Sequence, residues 1–320
     1  MTRLRHHSRS IAVCAFLALS PVQIQAALAQ SAPKMFSSPD AAAVALATAA
    51  RQKTSDEILA ILGPSSGEWL LSGDEVQDNQ ARERFAAAYD EKHVIKADGE
   101  GRATLEVGAD DFPFPFPIVK NEKGWAFDAE EGKEELLNRR IGENELNAIE
   151  VLYAIADAQV EYASEDRDGD GLREYASKFR SSPDKQDGLF WATKENEKSS
   201  PLGSLLAEAA DEGYQDSNPA PSSETAQAYH GYRYRILTRQ AADAEGGAQN
   251  YEVDGGLLGG FAVLAYPAKY GASGIMSFMI NQDGVIHEAD LGEQTEDRAR
   301  EITEFTTAGE WRKLPDDAAL

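Results

Sequence analysis

Apolar positions along this chain fall first at helical spacing and then alternate, and that order occurs twice. An Ala-rich run follows Pro39 and Asp40, and Asp40 is the expected cap of a helix that reaches Ala50. Ser55 and Asp56 announce a second, shorter helix that stops at Gly63-Pro64. Phe85 and Tyr89, four residues apart, mark one face of a third helix from Asn79 to Tyr89. Strand patterns follow. Arg102 to Val107 alternates, and Ile118-Val119 and Trp125-Ala126-Phe127 flank a turn at Asn121 to Gly124.

The second round opens on a charged helix or linker from Glu130 to Asn138. Glu143 to Tyr162 is expected to be the longest helix, with Leu146, Ile149, Leu152, Tyr153, Ala156 and Val160 along one side. A polar, irregular stretch then runs to about Pro221. Tyr232-x-Tyr234-x-Ile236 alternates, and Phe261 to Tyr266 is a continuous apolar run. Ile275 to Ile280 and Val285-Ile286 flank the hairpin turn Asn281 to Gly284, and Glu293 to Phe305 has the pattern of a closing helix. The expected class is therefore α+β, with two domains at 36–128 and 143–312, each of helices packed on an antiparallel sheet.

The first thirty residues are a different kind of sequence. Arg3, Arg5 and Arg9 precede a short apolar run from Ile11 to Leu19, and Ala27-Leu28-Ala29 gives a small-x-small cleavage pattern before Gln30. Residues 1–29 thus read as a signal peptide, which places the mature chain in the periplasm or outside the cell. The sole cysteine, Cys14, lies in that run, so neither disulfides nor thiol chemistry are expected of the mature protein. No later segment is apolar for long enough to form a transmembrane helix.

The formal net charge is −24, and the signal carries three arginines and no acid, so the mature chain is more acidic still. Such a surface repels nucleic acid and favours divalent cations and basic partners. The sharpest local feature fits that balance. Asp166, Asp168 and Asp170 alternate and Gly171 follows, as in the front half of a calcium-binding loop. The expected Ca²⁺ ligands are Asp166, Asp168 and Asp170 with the Leu172 carbonyl and Glu174. The bidentate Glu of an EF-hand is replaced by Ser177, so the loop is not a complete one. The same residues also suit a solvated Asp-Gly turn with no metal.

Other candidates have simpler structural readings. Gly63-Pro64-Ser65-Ser66-Gly67 fits the spacing of a hydrolase nucleophile, but it follows a helix rather than a strand. The mature histidines, His93, His230 and His287, are scattered, and His230 at a strand start is the first to test for a polar site. Phe112 to Pro117 alternates Phe and Pro, which suits an edge strand better than a polyproline ligand. Tyr232, Tyr234, Tyr251, Tyr266 and Tyr270 are expected in the core rather than on a binding face.

Several motifs carry a family likeness. Phe114-Pro115-Phe116-Pro117-Ile118-Val119, Gly124-Trp125-Ala126-Phe127-Asp128, Asp166 to Gly171, Ser200-Pro201-Leu202-Gly203, Tyr229-His230-Gly231-Tyr232 and Gly259-Gly260-Phe261-Ala262 resemble an exported bacterial family, domain-of-unknown-function family 2950 (DUF2950). The likeness runs from about Phe36 to Trp311. It implies export and a shared fold but no mechanism. Residues 36–128, short helices followed by a meander, look like the cone-shaped folds related to nuclear transport factor two. The second half, with Asp157 to Ser164 ending its helix and Ala262 to Pro267 in its sheet, is similar to the globular heads of type IV pilin-like proteins.

Two functional expectations follow. One is a non-enzymatic exported protein that binds or assembles with an unknown protein or envelope component, with a structural calcium loop. The alternative is a periplasmic hydrolase with a carboxylate and histidine site between the two domains.

Overall fold

The structure, a computed structural model, describes residues 32–52, 54–167, 169–194, 197–214 and 227–315. The signal-peptide reading and Asp168 lie outside these residues. The protein is α+β, and all its strand pairings within sheets are antiparallel.

The first half begins with α1 (Pro39–Ala50), α2 (Asp56–Leu62), the short α3 (Gly67–Leu70) and α4 (Glu75–Glu91). Ser38, not Asp40, caps α1: its hydroxyl accepts the Ala41 amide at 3.1 Å, and Pro39 takes the first helical position, where a missing N–H costs nothing. Gly63 closes α2 at φ 100°, and Pro64 to Ser66 form a 3₁₀ turn. The Gly-x-Ser-x-Gly stretch is thus a helix-to-helix turn, as its preceding helix implied. Helix α4 starts four residues before the expected Asn79, because the Asp74 carboxylate caps it by accepting the Gln77 amide at 3.1 Å.

A meander packs under these helices: β1 (His93–Ala97), β2 (Arg102–Val107), β3 (Phe112–Pro113), β4 (Ile118–Asn121) and β5 (Gly124–Phe127). The order is β1-β2-β4-β5, with β3 paired to the end of β2. Only Phe112–Pro113 of the Phe-Pro run pairs as an edge strand; Phe112 is half-exposed there, while Phe114 packs against the core and Phe116 is buried beyond it. Leu46, Ile58, Ile61, Leu62 and Trp69 pack on Phe116, Ile118 and Phe127.

A single helix, α5 (Ala129–Tyr162), then runs for 34 residues without a break. The charged stretch from Glu130 to Asn138, expected as a helix or a linker, is helical and forms the first turns of α5, capped by Asp128, whose side chain accepts the Glu131 amide at 3.2 Å. Leu146 is 52% exposed, Tyr153 39% and Val160 60%, so these three are not on the buried side. The core stripe is instead Ala148, Ile149, Val151, Leu152, Ile155, Ala156 and Ala158.

The second half holds α6 (Gly203–Asp211), β6 (Tyr232–Leu237), the short ribbon strands β7 (Arg239–Gln240), β8 (Gln249–Asn250), β9 (Glu252–Val253) and β10 (Gly256–Leu257), then β11 (Ala262–Pro267), β12 (Met276–Asn281), β13 (His287–Asp290), α7 (Thr295–Glu301) and β14 (Arg312–Lys313). The main sheet has the order β14-β13-β12-β11-β6. Strand β11 explains its apolar run. Side chains alternate faces, and on neighbouring β6 Tyr234 lines a cavity with Val151 and Ile155 of α5, whereas Arg235 reaches the Ile302 carbonyl beyond α7 at 2.5 Å. Helices cover both faces, so every residue from Ala262 to Ala265 is buried. Helix α7 is shorter than the expected span to Phe305, because Ile302 turns extended and Phe305 bridges to Gln240 beside β7. Tyr232, Tyr234 and Tyr251 are core residues. Among the described residues, no helix is long and apolar enough to cross a membrane.

Candidate functional site

The Asp-Gly loop follows the C-terminus of α5. The Asp166 carboxylate accepts the Gly169 amide at 2.8 Å and the Gly171 amide at 2.9 Å, and Asp170 accepts the Leu172 amide at 2.7 Å. Gly169 and Gly171 sit at φ 82° and 89°, the left-handed backbone that such a turn requires. The Glu174 carboxylate lies against Gly256 on β10, so closely that a Cβ there would overlap it. Leu172 is half-exposed. Among the described residues, no three His, Asp or Glu side chains are gathered as a metal-ligand group.

His93 stacks on Tyr89 with ring centroids 3.9 Å apart, and His287 packs edge-on against Phe305. His230 lies at a polar seam where α4 and α5 meet the loops of the second half. Its Nε2 is 3.4 Å from Glu212, and its rings of contact are Tyr214 and Tyr229. At the centre of the seam, Asp74 is only 1% exposed. One of its oxygens accepts the Gln77 amide, and the other accepts the Tyr214 hydroxyl at 2.8 Å and the Gly231 amide at 3.0 Å. Burial, then the Asp74 charge and hydrogen bond, push the Tyr214 hydroxyl pKa up, so it stays a donor.

Helix α5 supplies the rest of this seam. Asn144 is fully buried, accepts from Gln77 Nε2 at 2.5 Å and donates to the Ser273 carbonyl at 2.8 Å. Glu145 accepts the amides of Ile275 and Met276 at 3.0 and 2.9 Å. Arg140 donates to three carbonyls, Ala272 at 2.7 Å, Leu70 at 2.8 Å and Trp69. Lys269 reaches back to the Gly67 and Leu71 carbonyls. Most of these side chains are held by backbone groups across the seam, which is how a structural joint behaves, while one buried Glu212 oxygen has no hydrogen-bond partner among the described residues.

A cavity lies in the first half, between α1, α2, α4, the β2–β3 edge and the start of α5. Its volume is about 720 Å³. Leu46, Ile58, Leu62, Phe85, Phe114 and Leu136 form its apolar walls. Polar groups enter from α4 and α5 as Asp78, Arg82, Arg139 and Arg140. Burial raises the Asp78 pKa, opposed by hydrogen bonds from Ser72 and by the Arg140 charge. Burial likewise lowers the Arg140 pKa, with Asp78 opposing. An apolar cavity of this size with a few convergent polar groups is the usual form of a small-molecule site. Sequence reading missed it, because its lining comes from positions 46 to 143, where no short spacing reveals convergence. The available signals were the Phe85 face of α4 and the Phe114-x-Phe116 alternation.

Fold and cavity together define an α+β protein with an apolar cavity beside a buried polar joint. Its sequence places it further: the chain belongs to the family described as "Protein of unknown function (DUF2950)", which matches residues 33–314. No curated protein and no solved structure matches this chain.

Proposed function

We propose that this is an exported, non-enzymatic binding protein that holds a small apolar ligand in the cavity of its first half. The observation that carries this reading is the 720 Å³ cavity walled by Leu46, Ile58, Leu62, Phe85, Phe114 and Leu136. Its volume lies inside the roughly 300–1,000 Å³ range of small-molecule sites. The alternative, a hydrolase using carboxylate and histidine groups between the halves, draws on the 3.4 Å approach of His230 to Glu212. It is the weaker reading, because Asp74, the buried acid beside His230, already accepts from three donors, which leaves Glu212 as the one acid of the pair with an oxygen to spare. Calcium at residues 166–174 and a pilin-like second half stand beside the main reading as separate proposals drawn from the sequence.

The test is binding of an environment-sensitive apolar dye to the purified mature protein. Ala81 lines the cavity mouth and is exposed, so Ala81→Trp blocks entry without disturbing the core. Wild type is expected to bind the dye, and the variant at least about tenfold more weakly. Equal binding by the two, or none by wild type, overturns the reading.

A further inference from the structure

The charges around the cavity differ in their surroundings. Glu91, Asp110 and Glu143 line it from exposed positions, as do Arg84 and Arg139. Water screens these rim charges. Arg82, Arg140 and Asp78 are half-buried, where a charge counts for more; Asp78 acts on Arg140, which leaves Arg82 as the uncompensated charge. The chain has 55 acids against 31 basic residues, yet among the described residues neither Arg82 nor Arg140 has a carboxylate within ion-pair distance.

The two arginines differ in what they have left to give. Arg140 spends its guanidinium on three carbonyls. Arg82 gives one donor to the Ser55 hydroxyl at 3.0 Å and another to the Asn79 side chain, both neutral. A guanidinium has five N–H donors in a planar fork, so Arg82 retains donors suited to bidentate pairing with a carboxylate. Its two neutral partners fix the orientation of the fork. Apolar walls then continue from Arg82 through Ile58, Leu62 and Phe85.

Resting on the cavity reading above, we propose that the ligand is an anionic amphiphile, a medium- or long-chain carboxylate whose head pairs with Arg82 and whose chain lies along Leu46, Ile58, Leu62 and Phe85. Head and chain make separable contributions. The chain should strengthen binding about fourfold per methylene, and the head should favour the acid over a neutral chain of equal length by about tenfold or more.

The experiment is calorimetric titration of the purified mature protein at neutral pH with decanoate, dodecanoate, dodecanol and dodecyl phosphate. Dodecanoate is expected to bind tightest, about sixteenfold tighter than decanoate. Arg82→Gln should weaken dodecanoate about tenfold and leave dodecanol unchanged. Equal affinity for dodecanoate and dodecanol overturns the anionic head but leaves an apolar cavity standing. Tighter binding of dodecyl phosphate overturns the carboxylate assignment. Binding of none of the four overturns both this inference and the cavity reading. Should Arg82→Gln fail to fold, the wild-type comparison of acid with alcohol decides alone.

Discussion

Arg140→Met tests whether one side chain joins the two halves. Methionine keeps the length of the apolar stem and removes every donor, so packing is largely preserved. The Trp69, Leu70 and Ala272 carbonyls then lose a charged partner together. Hydrogen bonds to charged groups contribute about 1.5–3 kcal/mol each in favourable settings. Arg140 is half-buried and water can reach part of the vacated site, so about 1 kcal/mol per carbonyl, or about 3 kcal/mol in all, is the reasoned loss. For a protein of this size that corresponds to a fall in melting temperature of about 6 °C. Urea unfolding followed by near- and far-ultraviolet circular dichroism measures both the loss and the cooperativity. Arg140→Lys, with one compact ammonium in place of a fork, should recover about a third. A loss below about 1 kcal/mol for Arg140→Met, with a single unchanged transition, would mean that water replaces the guanidinium and that the joint does not depend on it.

Four further expectations concern other parts of the molecule. Gly231 sits at φ 75°, and a Cβ there would lie 2.4 Å from Asn144 Nδ2, which Gln77 and Ser273 hold in place; Gly231→Ala should therefore cost more than about 3 kcal/mol in denaturant unfolding, and a loss under 1 kcal/mol would show the seam to be slack. Burial alone would raise the Asp187 pKa, but hydrogen bonds from Lys178 and Ser182 outweigh it and hold it down at about 2. A depressed carboxylate stabilises the fold above its unfolded pKa and loses that contribution as pH falls through about 2, so Asp187→Asn should destabilise by about 1 kcal/mol at pH 7 and by only a small fraction of that at pH 2; an equal loss at both pH values refutes this. Calcium at about ten times its dissociation constant should add ~1.4 kcal/mol to wild type and nothing to Asp168→Ala, whereas equal or absent shifts would leave the 166–174 stretch a plain turn. Intact-mass analysis of the exported protein should show a chain beginning near Gln30, and a retained N-terminus would end the export reading.

Much of the strand plan was legible because it depends on local alternation. Arg102 to Val107, Trp125 to Phe127 and Tyr232 to Ile236 each carry their period within a few residues, and each is a strand. Helix ends were less legible. Asp40 was the expected cap, but Ser38 lies one residue before Pro39, and Pro39 is pre-set for the first helical position. The outward positions of Leu146, Tyr153 and Val160 could not be read from a wide apolar stripe, since either edge of it could face the sheet. The short helix α6 is amphipathic but only nine residues long and set in an otherwise polar stretch, and strand β1 is mostly exposed, so neither stood out from its surroundings. The cavity depends on convergence of five separate segments. Arg82 drew no notice as one basic residue on a charged helix, and only its folded neighbours, Ser55 and Asn79, show it to be without an acid.

The unbroken course of α5 decides where this chain can be divided. Thirty-four residues at about 1.5 Å each make a rod of ~51 Å, and its two ends serve different owners. Leu136, Arg139 and Arg140 close one side of the cavity, whereas Ile149 to Tyr162 form the helical floor of the second sheet. A gene cut at residue 128 leaves the first half with an open cavity. A cut at 143 strips the second half of Arg140 and leaves Asn144 as a frayed helix start. Neither fragment inherits a complete core, so shuffling or recombining the halves between relatives requires the whole rod to travel with both.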